Sequence, residues 1–348
     1  MKLINKAIVA LCIIGVSQFT LATDYSIKGD LRYRHESQDK DSVQEKDRHR
    51  LRARIGVYGD VNDRVTFGTR LASGSSKTEA LGSYIDASPT STNQDLTGEG
   101  SSKNIWLDLA YFKIDSLLID GVDATFGKMK QPWDNISDLL FDGDVNPEGI
   151  STAYNVSLNE STELAYQAGH FILENNNTED DVALYSAQVS LTKDISESVG
   201  LKAGLSYYDY VNMASQAGKN NTAGIDFNIV QGFAELSLSQ TSLPLTLFID
   251  YAQNSEVDEE DVAWMSGVST KSGDWSYAYN YRDVGIDSIY GNWSDSDFHG
   301  GGTGGSGHKF KVKYAMDKNL SAGATYFVTE KEDGTEVNTL QLDLVSKF

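Results

Sequence analysis

Arg48-His49-Arg50-Leu51-Arg52-Ala53-Arg54-Ile55-Gly56-Val57-Tyr58 carries arginine on every second residue, four times running. The residues between them run from His49 through Leu51, Ala53 and Ile55 to Val57, so the intervening row turns apolar. On a strand, successive side chains point to opposite faces. One face is then a row of guanidiniums and the other is hydrocarbon. A helix would scatter the same charges around its cylinder, because its period is near 3.6. Charge on one side and hydrocarbon on the other suits a wall between water and lipid better than a soluble core.

The rest of the chain keeps this rhythm. Ile27, Leu31 and Tyr33 alternate with Lys28, Asp30, Arg32 and Arg34 on a first strand over 24–36. Val65, Phe67, Thr69 and Leu71 share a face opposite Arg70. Ile105, Leu107, Leu109 and Tyr111 read as one row, with Trp106 and Asp108 on the other side. Further strands are predicted at 123–130, 150–157, 162–174, 182–193, 198–210, 225–239, 245–254, 262–271, 275–283, 309–315, 320–329 and 337–348. With the arginine strand that makes about sixteen, an even number, as bacterial single-chain barrels require. The four prolines, Pro89, Pro132, Pro147 and Pro244, fall between candidate strands or at the start of one, where no ladder hydrogen bond is lost.

Connections alternate short and long. Asn62–Arg64, Asn159–Glu160, Ser272–Gly273 and Asp317–Asn319 are tight. Ser37–Asp47, Ser73–Lys103, Gln131–Gly149, Val211–Gly224 and Val284–His308 are long. Barrels crossing an outer membrane behave this way, with tight periplasmic turns and long external loops. The expected fold class is therefore all-β: a transmembrane antiparallel up-and-down barrel in a single domain over 23–348.

Composition agrees. Residues 1–22 read as a secretory signal, with Lys2 and Lys6, an apolar run from Ala7 to Val16, and Thr20-Leu21-Ala22 at the cleavage site. The lone cysteine, Cys12, lies inside that run, so the mature chain crosses an oxidising compartment without disulfides. Losing Lys2 and Lys6 takes the formal charge from -21 to -23, which argues against nucleic acid as a partner. Mean hydropathy of -0.37 resembles that of a soluble protein. A barrel gives the same value, since half of each strand is polar.

The chain resembles bacterial outer-membrane porins of the "putative porin" family. The resemblance rests on Arg48–Arg54, on Val65–Leu71 closing on a Gly/Ser loop, and on Leu107-Asp108-Leu109-Ala110-Tyr111 followed by Phe126-Gly127-Lys128. It rests also on Phe141-Asp142-Gly143-Asp144-Val145-Asn146-Pro147-Glu148-Gly149. The resemblance implies a wide aqueous pore, passive transport of small solutes, no cofactor, and often a homotrimer. It implies a third long loop folded into the lumen, here 131–149. The terminal Phe348 resembles the signal read by the barrel-assembly machinery, although Ser346 interrupts the apolar pattern. Outer-membrane lipid and lipopolysaccharide would surround such a barrel.

Arg32, Arg34, Arg48, Arg50, Arg52, Arg54 and Arg70 fall mostly on polar faces of neighbouring strands and make a basic patch on one wall. Asp134, Asp138, Asp142, Asp144 and Glu148 lie on the loop that would face it. Charge patches at a constriction set ion preference; the arginines could equally serve only to pin the loop. The net negative charge pulls toward cations and the wall arginines toward anions, so the sign stays open. The acids Asp258–Asp261 fit a solvated external loop or a site for divalent ions bridging lipopolysaccharide. Tyr207, Tyr210, Trp275, Tyr277, Tyr279 and Tyr281 fit an interface girdle, with a sugar-stacking track as the alternative. Among the five histidines none has metal-binding spacing, and no G-x-S-x-G elbow occurs. A barrel enzyme would have to use His299 and His308, which flank a glycine loop. A substrate-specific channel for an anion or sugar, and an adhesin, remain as rivals.

Overall fold

A computed structural model describes residues 25–74, 76–77, 86–175, 180–213, 218–239 and 243–348. The candidate signal at 1–22 lies outside the described residues. Sixteen antiparallel strands form the barrel: β1 (Tyr25–Lys40), β2 (Lys46–Asn62), β3 (Val65–Ser73), β4 (Ile105–Ile114), β5 (Val122–Lys128), β6 (Glu148–Asn159), β7 (Thr162–Glu174) and β8 (Val182–Ser196). The second half comprises β9 (Val199–Val211), β10 (Phe227–Leu238), β11 (Leu245–Asn254), β12 (Val262–Ser272), β13 (Trp275–Val284), β14 (Gly305–Ala315), β15 (Leu320–Lys331) and β16 (Glu336–Lys347). Each strand pairs with the next. β1 closes the sheet on β16, from Asp30 opposite Lys347 to Lys40 opposite Val337.

Closure leaves no unpaired edge, and it ends on Phe348. The Gly29 amide donates to the Phe348 carbonyl at 2.9 Å, and the Phe348 amide donates back at 3.1 Å. A Cβ at residue 29 would lie 2.5 Å from the Phe348 ring, so that ring needs glycine beneath it.

Alternation sorts the faces as read. Ile27, Leu31, Tyr33 and Ile55 stand exposed on the outside, while Asp30, Arg34, Glu36 and Arg50 are buried inside. At one rim the turns are tight: Asn62 Oδ1 accepts from the Arg64 amide at 2.9 Å, a side chain standing in for a backbone turn bond. The opposite rim carries the longer connections, 74–104, 129–147, 212–226 and 285–304.

Three local expectations are corrected. The loop expected at 37–47 is mostly strand, because β1 and β2 stay paired out to Gln38 opposite Lys46. The row Ile105, Leu107, Leu109, Tyr111 breaks at a bulge, where Arg70 opposes Leu109 but Leu71 opposes Leu107. The extra residue resets the parity, so Leu107 is exposed, Asp108 and Leu109 are both buried, and the outward row resumes with Ala110 and the exposed Phe112. Tyr210 is not on the girdle. It lies three positions from Tyr207, so the two point to opposite faces: Tyr207 is exposed and Tyr210 buried.

The interior is also less uniform than an all-polar lining. Inner residues of β7 to β13 nearest the long-loop rim are apolar: Phe171, Leu184, Tyr208, Tyr210, Phe227, Ile229, Met265 and Val284. Met129, Trp133, Leu139, Leu140 and Phe141 of the 129–147 connection pack on them. The Trp133 ring lies 4.8 Å from that of Phe141 and 5.5 Å from that of Tyr208. Farther along the same strands the inner row turns polar, through Gln188, Ser190, Ser206, Gln231 and Asp250.

Candidate functional site

The arginine strand places like charges directly opposite each other. Across β1 and β2, Arg34 faces Arg50 and Arg32 faces Arg52. Like charges in register repel, and carboxylates stand around them. Glu36, almost fully buried, takes Arg48 at 2.6 Å and Arg50 at 3.3 Å. Asp30 takes Arg52 at 2.8 Å on one oxygen and Arg54 at 2.7 Å on the other. Asp343 of β16 holds Arg34 with two hydrogen bonds, 2.7 and 2.9 Å, the bidentate geometry that suits a guanidinium. Arg70 pairs with Asp108 on the neighbouring strand. Arg50 also meets Asp95 at 3.0 Å, because Gln94 and Asp95 add a short rung beside β2 where β3 has ended.

The five acids of 131–149 do not all meet the arginine patch. Asp144 does, lying 3.3 Å from Arg54 and accepting from the Thr92 amide and hydroxyl. Asp134 goes elsewhere, to Lys202 on β9 at 2.6 Å and to Ser190 on β8. Asp138 pairs with Arg282 on β13 and with Lys309 on β14 at 2.6 Å. Asp142 receives amide hydrogens from Asp144 at 2.8 Å and Ser296 at 3.1 Å. Glu148, the first residue of β6, pairs at its exposed surface with Lys128.

The missing half of the acid set comes from the β13–β14 connection, 285–304, read from sequence as a long external loop. It is largely buried. Asp297 lies 2.8 Å from Arg34, and Asp295 lies 3.2 Å from Lys309. The Asp142 amide donates to the Trp293 carbonyl at 2.7 Å, tying the two connections together. Sequence reasoning missed Asp295, Asp297, Asp343, Lys309 and Arg282. Only the Lys309–Lys313 alternation and Arg282's isolation from the other eight arginines hinted at them.

These groups surround a polar cavity of about 370 Å³. Arg32, Arg34, Arg52, Arg54, Lys309 and Lys311 line it against Asp138, Asp142, Asp144, Asp295, Asp297 and Asp343. The loop carboxyls do not titrate alike. Burial works against ionising Asp144, but Arg52 and Arg54 outweigh it and hold its carboxyl below the usual range. Burial is likewise overcome at Asp138 by Arg282 and Lys309, and at Asp297 by Arg34. Asp142 goes the other way: burial, then Asp295 and Asp144, push it well up. Burial also lifts Asp295, against the pull of Lys309.

His299 and His308 do not form a joint site. His299 is buried beside Phe298, while His308 lies on the outer row with its Nδ1 2.9 Å from the Tyr279 hydroxyl. Trp275 and Tyr277 stand exposed on that outer row, as a girdle requires. Among the described residues, no group of three or more His, Cys, Asp or Glu side chains is arranged to hold a metal.

A closed sixteen-strand barrel, apolar outside and charged within, defines the class of outer-membrane porins. The chain belongs to the family described as "putative porin", whose pattern it matches over residues 33–238 and 222–348. Solved porins share the fold. OprB of Pseudomonas putida superposes with a TM-score of 0.62 at 11% identity, covering 96% of this chain and 97% of that one. OmpF of Salmonella typhi, solved in complex with daunomycin, gives 0.59 at 11% identity over 93% and 97%. A Rhodopseudomonas blastica porin variant gives 0.52 at 12% identity over 93% and 100%. No curated protein matches the chain in sequence.

Proposed function

We propose that this chain forms a water-filled channel through which small hydrophilic solutes and ions diffuse passively across the outer membrane. Its narrow zone lies where Arg32, Arg34, Arg52 and Arg54 face the carboxylates of 131–149 and 285–304. The charge-lined cavity inside an apolar-faced barrel carries this reading. Oppositely charged walls a few ångströms apart impose a transverse field on whatever passes, and charge at a constriction sets ion preference.

The protomers assemble as a homotrimer embedded in lipid and lipopolysaccharide, after export by the 1–22 signal and insertion by the barrel-assembly machinery. The backbone pairing of Phe348 with Gly29 supports a role for that residue in closing the barrel. Purified protein in a planar bilayer tests the function. Stepwise conductance that falls smoothly with solute size is the expected result. Folded barrels that pass no current, or that turn over an ester or peptide, would end the reading.

A further inference from the structure

Pairing in the cavity is lopsided. Its carboxylates are all engaged: Asp138 and Asp295 by Arg282 and Lys309, Asp297 by Arg34, Asp144 by Arg54, and Asp142 by two backbone amides. Two of its cations are not. Arg32 reaches Asp343 only at 4.0 Å, because both oxygens of that carboxylate already serve Arg34. Its remaining contact is a neutral amide oxygen on Asn93, and its Nε is buried without an acceptor. Lys311, opposite Thr325 on the inner face of β14, makes no ion pair or hydrogen bond among the described residues. Arg52, in register with Arg32, has only the Asp30 oxygen that leaves the other to Arg54.

We infer that Arg32 and Lys311, flanked by Arg52, form a binding site for a small oxyanion, a carboxylate or a phosphate group, inside the channel. Such an anion would supply the acceptor that the buried Arg32 Nε lacks and relieve the repulsion between Arg32 and Arg52. A guanidinium and an ammonium together suit an anion with several oxygens. The site deepens the channel reading above and rests on it. It fixes the sign of selectivity: the pore prefers anions although the chain as a whole is strongly acidic, because the acids near the path are already paired and distant ones are screened within about 8–10 Å.

The test is a planar-bilayer recording in a KCl gradient, with inorganic phosphate then added to one side. Wild-type channels should show a chloride-to-potassium permeability ratio above one, and phosphate should reduce the chloride current in a saturable way. In Arg32→Gln/Lys311→Gln the ratio should fall at least threefold, and the half-blocking phosphate concentration should rise about tenfold. Lys311→Gln alone disturbs no ion pair, so it keeps the test valid if the double variant fails to fold; it should shift both readings at least twofold in the same direction. A heat-modifiable band on electrophoresis confirms folding. A cation-preferring wild type, or phosphate block unchanged in folded Lys311→Gln, overturns the site while leaving the channel. Folded wild-type barrels without any conductance overturn both.

Discussion

Two halves of the inner wall show the same alternation and opposite chemistry. From β14 round to β2 the inward residues include Lys309, Lys311, Arg34, Arg32, Arg52 and Arg54, and they line a cavity of about 370 Å³. From β7 to β12 the upper inward residues are Phe171, Leu184, Tyr208, Phe227 and Met265, and they are packed solid. Strand periodicity says which way a side chain points, but the space it points into is settled by what returns across the barrel. One connection serves both halves. Trp133, Leu139, Leu140 and Phe141 root it in the apolar half, and Asp138, Asp142 and Asp144 leave it toward the charged half. Hydrophobic burial therefore sets the position, and electrostatics reads it out.

The contrast breaks most visibly if the root is cut. Phe141 is almost wholly buried and touches the rings of Trp133, Tyr208 and Trp293. Phe141→Ala should cost about 3–5 kcal/mol, seen as a lower unfolding temperature in detergent and as larger, noisier single-channel steps. Steps of unchanged size and quietness would show that the apolar half does not hold the narrow zone.

Cutting a connection to the charged half should cost somewhat less. Arg282 is buried, and Asp138 is one of its two carboxylates, the other being Asp295 at 3.5 Å. Asp138→Asn leaves a buried guanidinium half-paired, for a loss of about 2–3 kcal/mol. A thermal midpoint equal to wild type would mean that Asp295 suffices alone.

Acid should act through His299. Burial holds its imidazole down at about 4, below the ordinary value near 6.5. The unfolded chain therefore takes up the proton first. Stability from this group is complete above pH 6.5 and is lost as pH falls toward 4, the loss reaching about 2 kcal/mol at pH 5. His299→Asn, which also tolerates the left-handed backbone there (φ 37°), should narrow the difference in melting temperature between pH 7 and pH 5. Asp142 has the opposite sign. Its carboxyl is raised, so it stabilises below the normal carboxylate range and that contribution goes as pH climbs through its folded value. Asp142→Asn should thus raise the melting temperature at pH 8 relative to wild type, with the gap closing near pH 3.

The smallest effect belongs to Lys128 and Glu148. Their 2.6 Å pair is exposed, and such pairs contribute about 0.2–1 kcal/mol. Glu148→Gln should leave thermal stability and conductance within error, which separates this acid from the four that precede it in the connection.

How much was legible follows from the same contrast. Two-residue periodicity located all sixteen strands, because membrane and lumen impose it on every one. It failed where a local irregularity changes parity, as at Asp108 and Leu109, and where two residues three apart were grouped, as with Tyr207 and Tyr210. The acids of 131–149 were found, but their partners were not. Asp138 meets Arg282 and Lys309 across 144 and 171 residues of chain, and no local pattern encodes a contact made across a cylinder. Segment 285–304 carries glycines and serines that look like an external flap; Asp297 turns inward to Arg34, and Asp295 to Arg282 and Lys309, cations that no local pattern places beside them.

Folding 285–304 back into the mouth also changes what its own rim presents to solvent. Its twenty residues are largely buried instead of standing clear of the rim, where the described corners Asp41–Glu45 and Asp258–Asp261 are mostly exposed. Whatever approaches from that rim meets the exposed Asp258, Glu259 and Glu260 before the buried Asp295.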